Sequence, residues 1–234
     1  MEIIKGRQQR AWKGLIYGVP GIGKSSWCAL APNPVFMDVE DGIARIDADK
    51  TPHLKNYSEF LDALRWAYDS TYDTVVVDTI DYLENLIHGH LCQTNGWKNI
   101  EQPGFGKGYA IAQEEWFKLM AIFDNFIAKG KNVLLVGHDQ IKSYVSPDQD
   151  AYDRYMIKLN QKSASAIVAK MDFVFFAQFE TMLREDKNKD DRYRAVGTGK
   201  RVLRTSETPA WIAKNRFGLQ PTIQMDEKAF TILK

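Results

Sequence analysis

The sequence predicts an α/β fold: a mostly parallel central sheet flanked by helices, with a C-terminal β-hairpin extension. Three observations predict it. Strand-like and helix-like segments alternate along the chain, the order expected of a parallel sheet. Residues 74–77, Thr-Val-Val-Val, form an unbroken β-branched run, as in a strand covered on both faces. A glycine-rich turn, Gly18-Val19-Pro20-Gly21-Ile22-Gly23-Lys24-Ser25, stands between an apolar strand and a helix.

The elements follow in order. Residues 11–17 read as the first strand. Residues 24–30 read as a helix stopped by Pro32 and Pro34, since proline cannot continue a helix. Residues 34–39 are a second strand. Phe60, Leu61, Leu64 and Ala67 make an apolar helical stripe over 58–69, with Ser58 as N-cap. After the 74–77 strand and Asp78 comes a helix over 80–91. Residues 93–110 are rich in glycine and aromatics and read as irregular. Residues 114–128 are an amphipathic helix ended by Gly130, and 132–136 a further buried strand. Residues 142–161 show no clear pattern, and 171–179 read as a strand. Residues 192–196 and 201–205 pair as a hairpin around Gly197-Thr198-Gly199.

The chain has 234 residues, 44% hydrophobic and 26% charged. That suits one globular domain over 1–234. A net charge of +1 excludes recognition of nucleic acid or membrane by bulk charge and leaves only local clusters. The two cysteines, Cys28 and Cys92, make neither a disulfide framework nor a zinc site. The start lacks the apolar core of a signal peptide. No run reaches the roughly eighteen apolar residues of a membrane span. A cytoplasmic location with no membrane partner is expected.

Residues 18–25 fit G-x-x-x-x-G-K-[ST] in the right setting, strand before and helix after. Glycines let successive N–H groups converge on one point. Gly18, Val19, Pro20, Gly21, Ile22, Gly23, Lys24, Ser25 and Ser26 are therefore the expected phosphate cradle. Lys24 reaches the β and γ phosphates, and the Ser25 hydroxyl binds Mg²⁺. Asp78, at the end of a buried strand about fifty residues on, is the expected second Mg²⁺ residue; the strand of Asp38 comes too early for that role. Glu40, just past the second strand, can deprotonate an attacking water. The alternative for Glu40 or Asp41 is a turn cap.

Phe36-Met37-Asp38-Val39-Glu40, then Val75-Val76-Val77-Asp78-Thr79, then Leu134-Leu135-Val136-Gly137-His138 resemble, in order, the ATPase core of RecA-like recombinases. The resemblance spans about residues 11–217. It implies a RecA-like P-loop fold hydrolysing ATP with Mg²⁺. It implies Glu40 as catalytic base and His138, with Gln140 nearby, at the γ-phosphate sensor position, where the family usually has glutamine. Ile212-Ala213-Lys214-Asn215-Arg216-Phe217 resembles the segment whose cations, here Lys214 and Arg216, reach a neighbouring subunit's ATP. The alternative for this pair is a solvated edge strand. The chain is shorter than RecA, without its N-terminal linking helix or C-terminal domain. It looks like the small RecA-like ATPases of bacteriophages, including Sak-type single-strand annealing proteins. That implies a homo-oligomer, ring or filament, with active sites at subunit interfaces. It further implies single-stranded DNA as partner, in recombination or annealing, beside a single-stranded DNA-binding protein, in a host cytoplasm if phage-encoded.

In that family two loops hold DNA, and the irregular stretches fall in their places. Trp97, Lys98, Phe105 and Lys107 in the first, and Lys142, Lys158 and Lys162 in the second, are the candidate contacts. Cations track phosphates and aromatics stack on unpaired bases. The alternative for the aromatics is anchoring of the loops to the core. Residues 184–204 carry a local balance of +4 and are a competing basic surface. Two other readings remain: a small-molecule or nucleotide kinase using these arginines as a lid, and an ATP-gated adaptor that loads replication proteins.

Overall fold

A computed structural model describes residues 3, 5–6, 8–146, 149–185 and 193–233. In chain order the elements are β1 (Lys13–Gly18), α1 (Lys24–Cys28), β2 (Pro34–Asp38), β3 (Asp49–Lys50), α2 (Tyr57–Asp69), β4 (Thr74–Asp78), α3 (Ile80–Asn95) and α4 (Lys107–Ala128). They continue with β5 (Asn132–Ser146), β6 (Gln149–Ile157), α5 (Gln161–Lys170), β7 (Phe173–Glu185), β8 (Tyr193–Arg204), β9 (Lys214–Asn215), β10 (Thr222–Gln224) and α6 (Lys228–Thr231).

The sheet order is β10-β8-β7-β1-β5-β4-β2-β3, with β7, β1, β5, β4, β2 and β3 mutually parallel. Numbering only the five longer parallel strands in chain order gives 5-1-4-3-2. The five longer parallel strands alternate between two cores. Leu15, Val75, Val77 and Leu135 face one core with α2, α3, α4 and α5. Ile16, Val76, Leu134 and Val136 face the other with Trp27 and Phe230. Both faces are dry, which is why these strands read as continuous apolar runs. The α/β expectation therefore holds, and it fixes the site: strand C-termini, turns and helix starts meet along one edge of the sheet.

Several boundaries differ from the sequence reading. Asn56, not Ser58, caps α2, its side chain accepting from Glu59 N–H. Glu59 answers by accepting from Lys55 N–H and the Asn56 amide. The glycine-rich stretch 93–110 is irregular only over 96–106: α3 runs on to Asn95 and α4 starts at Lys107. Gly108 lies inside α4, where a Cβ would meet the Ile100 carbonyl oxygen at 1.8 Å. There glycine allows a close approach rather than marking a loop. Among the described residues, 142–146 and 149–157 are strand rather than irregular. β5 leaves the sheet after His138 and pairs antiparallel with β6, from Asp139↔Ile157 outward.

The expected hairpin around Gly197-Thr198-Gly199 does not form. Residues 193–204 are one strand, β8, paired along its length with β7. Pairing jumps from Phe179↔Arg201 to Thr181↔Gly197, so the glycine segment is a bulge. Gly199 takes φ 75° there, and the Thr198 hydroxyl donates to Glu180 Oε2 at 3.0 Å. The +4 segment thus forms part of an antiparallel arm; Lys187, Lys189 and Arg192 lie outside the described residues. Among the described residues no helix is long and apolar enough to cross a membrane, and both cysteines are free.

Candidate functional site: a phosphate loop at the sheet edge

β1 ends at Gly18, level with His138 on β5 and Ala177 on β7. A Cβ on Gly18 would come within 2.3 Å of the Ala177 carbonyl oxygen, so only glycine passes there. The chain then turns through Gly21 and Gly23, at φ 78° and 96°, into α1. A pocket of about 350 Å³ opens above the turn. Its lining includes Pro20, Lys24, Ser25, Glu40, Asp78 and His138. Four strands thus deliver the residues read from the sequence to one cavity.

Two charges in it are poorly matched. Lys24 is buried, and its ammonium donates to the Gly18 and Val19 carbonyls at 2.8 and 3.1 Å. Burial pulls its pKa down, partly opposed by the field of Asp78. Asp78 is 3% exposed, and its Oδ2 has no hydrogen-bond partner among the described residues. Burial lifts its pKa to about 6 against a pull downward from the Ser25 hydroxyl. A buried, orphaned carboxylate oxygen beside a serine hydroxyl is a hard-oxygen donor set of the kind Mg²⁺ takes. The residues present fit the metal.

Glu40 is pinned above this pair. Its N–H and that of Val39 donate to the Asp78 carbonyl at 3.3 and 2.9 Å. The Thr79 hydroxyl donates to Glu40 Oε2 at 3.0 Å. Glu40 Oε1 stands 4.0 Å from His138 Nε2. The other ring nitrogen of His138 lies 3.0 Å from Asp81 Oδ2, and Asp81 Oδ1 accepts from the His138 N–H at 3.2 Å. Burial pushes the Asp81 pKa up, but the bonds from His138 outweigh it and hold the carboxylate below its usual range. A carboxylate on Nδ1 leaves Nε2 turned to the pocket. Asp81 was not singled out in the sequence. Its one signal is its place in the first turn of α3, three residues past Asp78. Asp38 instead accepts from Asp41 N–H at 2.9 Å and serves the turn.

Residues 10–217 match the family model AAA_24, an AAA domain. The chain belongs to that family. It is a P-loop ATPase of the AAA kind whose cofactors are ATP and Mg²⁺. The chain is also similar to a KaiC-like protein from the hyperthermophilic archaeon Pyrococcus horikoshii. Identity is 13% and TM-score 0.42, with 83% of this chain and 77% of that one covered. It is likewise similar to the flagellar accessory protein FlaH from Methanocaldococcus jannaschii. Identity there is 11% and TM-score 0.41, with 91% of this chain and 84% of that one covered. No curated protein matches it.

The remaining sequence candidates lie elsewhere in this AAA-domain ATPase. Gln140 does not line the pocket: its amide donates to the Ile157 and Leu159 carbonyls at 2.7 and 3.3 Å, tying β5 to the end of β6. Lys214 and Arg216 sit at the opposite edge of the sheet, where β9 meets the start of β7. Lys214 donates to the Val168 and Ala169 carbonyls, both at 2.9 Å, and Arg216 to Asp172 Oδ1 at 3.2 Å. Neither lines the pocket. Trp97 packs partly buried against the main core, the anchoring role weighed for it. Phe105 is fully exposed between Gly104 and Gly106. Lys98 and Lys107 are exposed around it. Lys142 is exposed on the β5–β6 arm, beside a Tyr144–Tyr152 ring pair at 5.5 Å. Lys158 sits at the arm's base, 4.0 Å from Asp81 and with its N–H on the His138 carbonyl. The Lys162 carbonyl accepts from Gln113 at 3.0 Å, which joins the starts of α4 and α5.

Proposed function

We propose that this ATPase is an ATP-dependent single-stranded DNA-binding protein of recombination or strand annealing, as the small phage recombinases and Sak-type proteins it resembles would be. The observation that carries the reading is the continuity of β5. One strand holds His138 at the pocket and, beyond it, exposed Lys142 and Tyr144. Lys158 on the returning side reaches toward Asp81, which orients His138. A change at the γ phosphate therefore has a covalent path to a cationic, aromatic arm.

Hydrolysis in this reading uses the chain's own groups in fixed roles. Ser25 and Asp78 would hold Mg²⁺, which would supply neutralisation of phosphate charge. The loop N–H groups and Lys24 hold the phosphates. Glu40 accepts the proton of the attacking water as its oxygen bonds to the γ phosphorus and the bond to the ADP oxygen breaks. Thr79 keeps one oxygen of Glu40 occupied, so the other faces the reaction. His138, steadied by Asp81, presents Nε2 toward the phosphate. Lys214 and Arg216 would serve a neighbouring subunit in an oligomer, consistent with their place at the far edge.

The test is ATP turnover with and without single-stranded DNA at low and high protein concentration. Stimulation by DNA that grows with concentration, and is lost in Glu40→Gln and Lys214→Ala, is expected. Turnover indifferent to DNA and to concentration overturns the DNA reading and favours the adaptor. Phosphate transfer to an added nucleotide favours the kinase.

A further inference from the structure

Arg201 stands beside the phosphate loop, and none of the hydrolytic roles above uses it. A Cβ built on Gly23 would lie 2.5 Å from Arg201 Nη1, so the guanidinium rests against the loop backbone one residue before Lys24. Its backbone is held on both sides: Arg201 pairs with Phe179 of β7, and its carbonyl accepts from Met225 N–H at 3.1 Å. The side chain is exposed. Among the described residues it has no acidic partner. The other arginine near this end of β8 is spent. Arg204 donates to Thr222 Oγ1 at 2.7 Å and lies over the Trp211 ring.

The strand order decides which part of a nucleotide Arg201 meets. Glu40 follows β2, Asp78 ends β4 and His138 lies on β5, all on one side of β1; β7 and β8 lie on the other. The γ phosphate belongs among the three hydrolytic groups. The rest of the nucleotide then leaves across the loop toward β8. We infer that Arg201 binds the α-phosphate end of the ATP held by its own subunit. Its planar fork suits two phosphate oxygens, and Gly23 leaves the room for it.

The inference rests on the ATPase reading of the pocket, and the experiment separates the two. Arg201→Ala and Arg201→Lys are titrated with MgATP and MgADP by calorimetry, beside the wild type and Lys24→Ala. The α phosphate is common to both ligands, so Arg201→Ala weakens both by the same factor, about tenfold. Arg201→Lys recovers part of the loss. The thermal midpoint without nucleotide stays put, and the kinetic loss falls in KM rather than kcat. Weakened ATP with unchanged ADP would move the contact to the γ phosphate and overturn the inference. Unchanged affinity for both would overturn it too. A wild-type protein that binds neither nucleotide would overturn the ATPase reading along with it.

Discussion

At the lower edge of the sheet, where β1 and β7 begin, buried charge is fully engaged. Asp172 accepts from Lys13 N–H at 3.0 Å and from Arg216 at 3.2 Å, with Arg10 at 3.6 Å. The Lys13 ammonium pairs with Asp124, and Lys214 covers carbonyls in the last turn of α5. At the upper edge Asp78 is as deeply buried, yet one of its oxygens has no partner. Lys24 there has only carbonyls of its own loop. Two edges of one sheet thus bury similar groups and treat them oppositely. Desolvating a charge costs several kcal/mol unless partners replace water. The lower edge supplies those partners from the chain. The upper edge leaves them to a ligand.

The comparison can be broken by mutation. The largest effects belong to turnover at the upper edge. Lys24→Ala abolishes nucleotide binding, and Glu40→Gln lowers kcat by roughly 10²–10⁴ through loss of the general base, read in a phosphate-release assay with melting temperature as control. Next comes Asp78→Asn. The folded pKa of Asp78, about 6, lies above its ordinary 3.8. The native state therefore binds the proton more tightly than the unfolded chain. The resulting penalty is absent below about pH 4, grows as pH rises through the window, and is complete above 6. Without nucleotide and Mg²⁺ the variant should be more stable than wild type at pH 7.5 by on the order of 3 kcal/mol, with the difference vanishing near pH 4. Denaturant melts at both pH values check it. A variant no more stable at pH 7.5 would show that Asp78 is not in want of a counter-charge.

Smaller effects test the other edge and the surface. Asp172→Ala strands the buried Lys13 N–H and should destabilise by about 2 kcal/mol, with ATP affinity unchanged. Removal of an acid then stabilises at one edge and destabilises at the other. Phe105→Ala removes a fully exposed ring. It should leave stability within about 0.5 kcal/mol while weakening single-stranded DNA binding by ~1 kcal/mol or more if the ring stacks on a base. Fluorescence anisotropy of a labelled oligonucleotide reads the second quantity.

The upper edge was legible because its chemistry demands residue types at spacings that sequence preserves. The phosphate loop, Glu40, Asp78 and His138 each end or follow an apolar run, and strand ends share an edge. Asp81 and Thr79 escaped notice because they act through other side chains, not by motif. Arg201 escaped because its approach to Gly23 depends on how β8 pairs with β7, a long-range register that local pattern does not state. The arms were misread for a similar reason. Tyr144, Tyr152 and Arg154 find one another across strands, so their order emerges only once β5 and β6 are paired. Gly108 misled because glycine marks both loops and close packing.

β5 is core for its first half and handle for its second. No loop intervenes between His138 and the exposed part of the arm, and Gly137 is wedged where a Cβ would press on Ile80 at 3.2 Å. The outer half touches little of the interior, so its residues can be exchanged without retuning the engine. Lineages that share this ATPase can therefore drift along the exposed half while keeping how they turn over. The exposed residues 141–145 are where such proteins should diverge first.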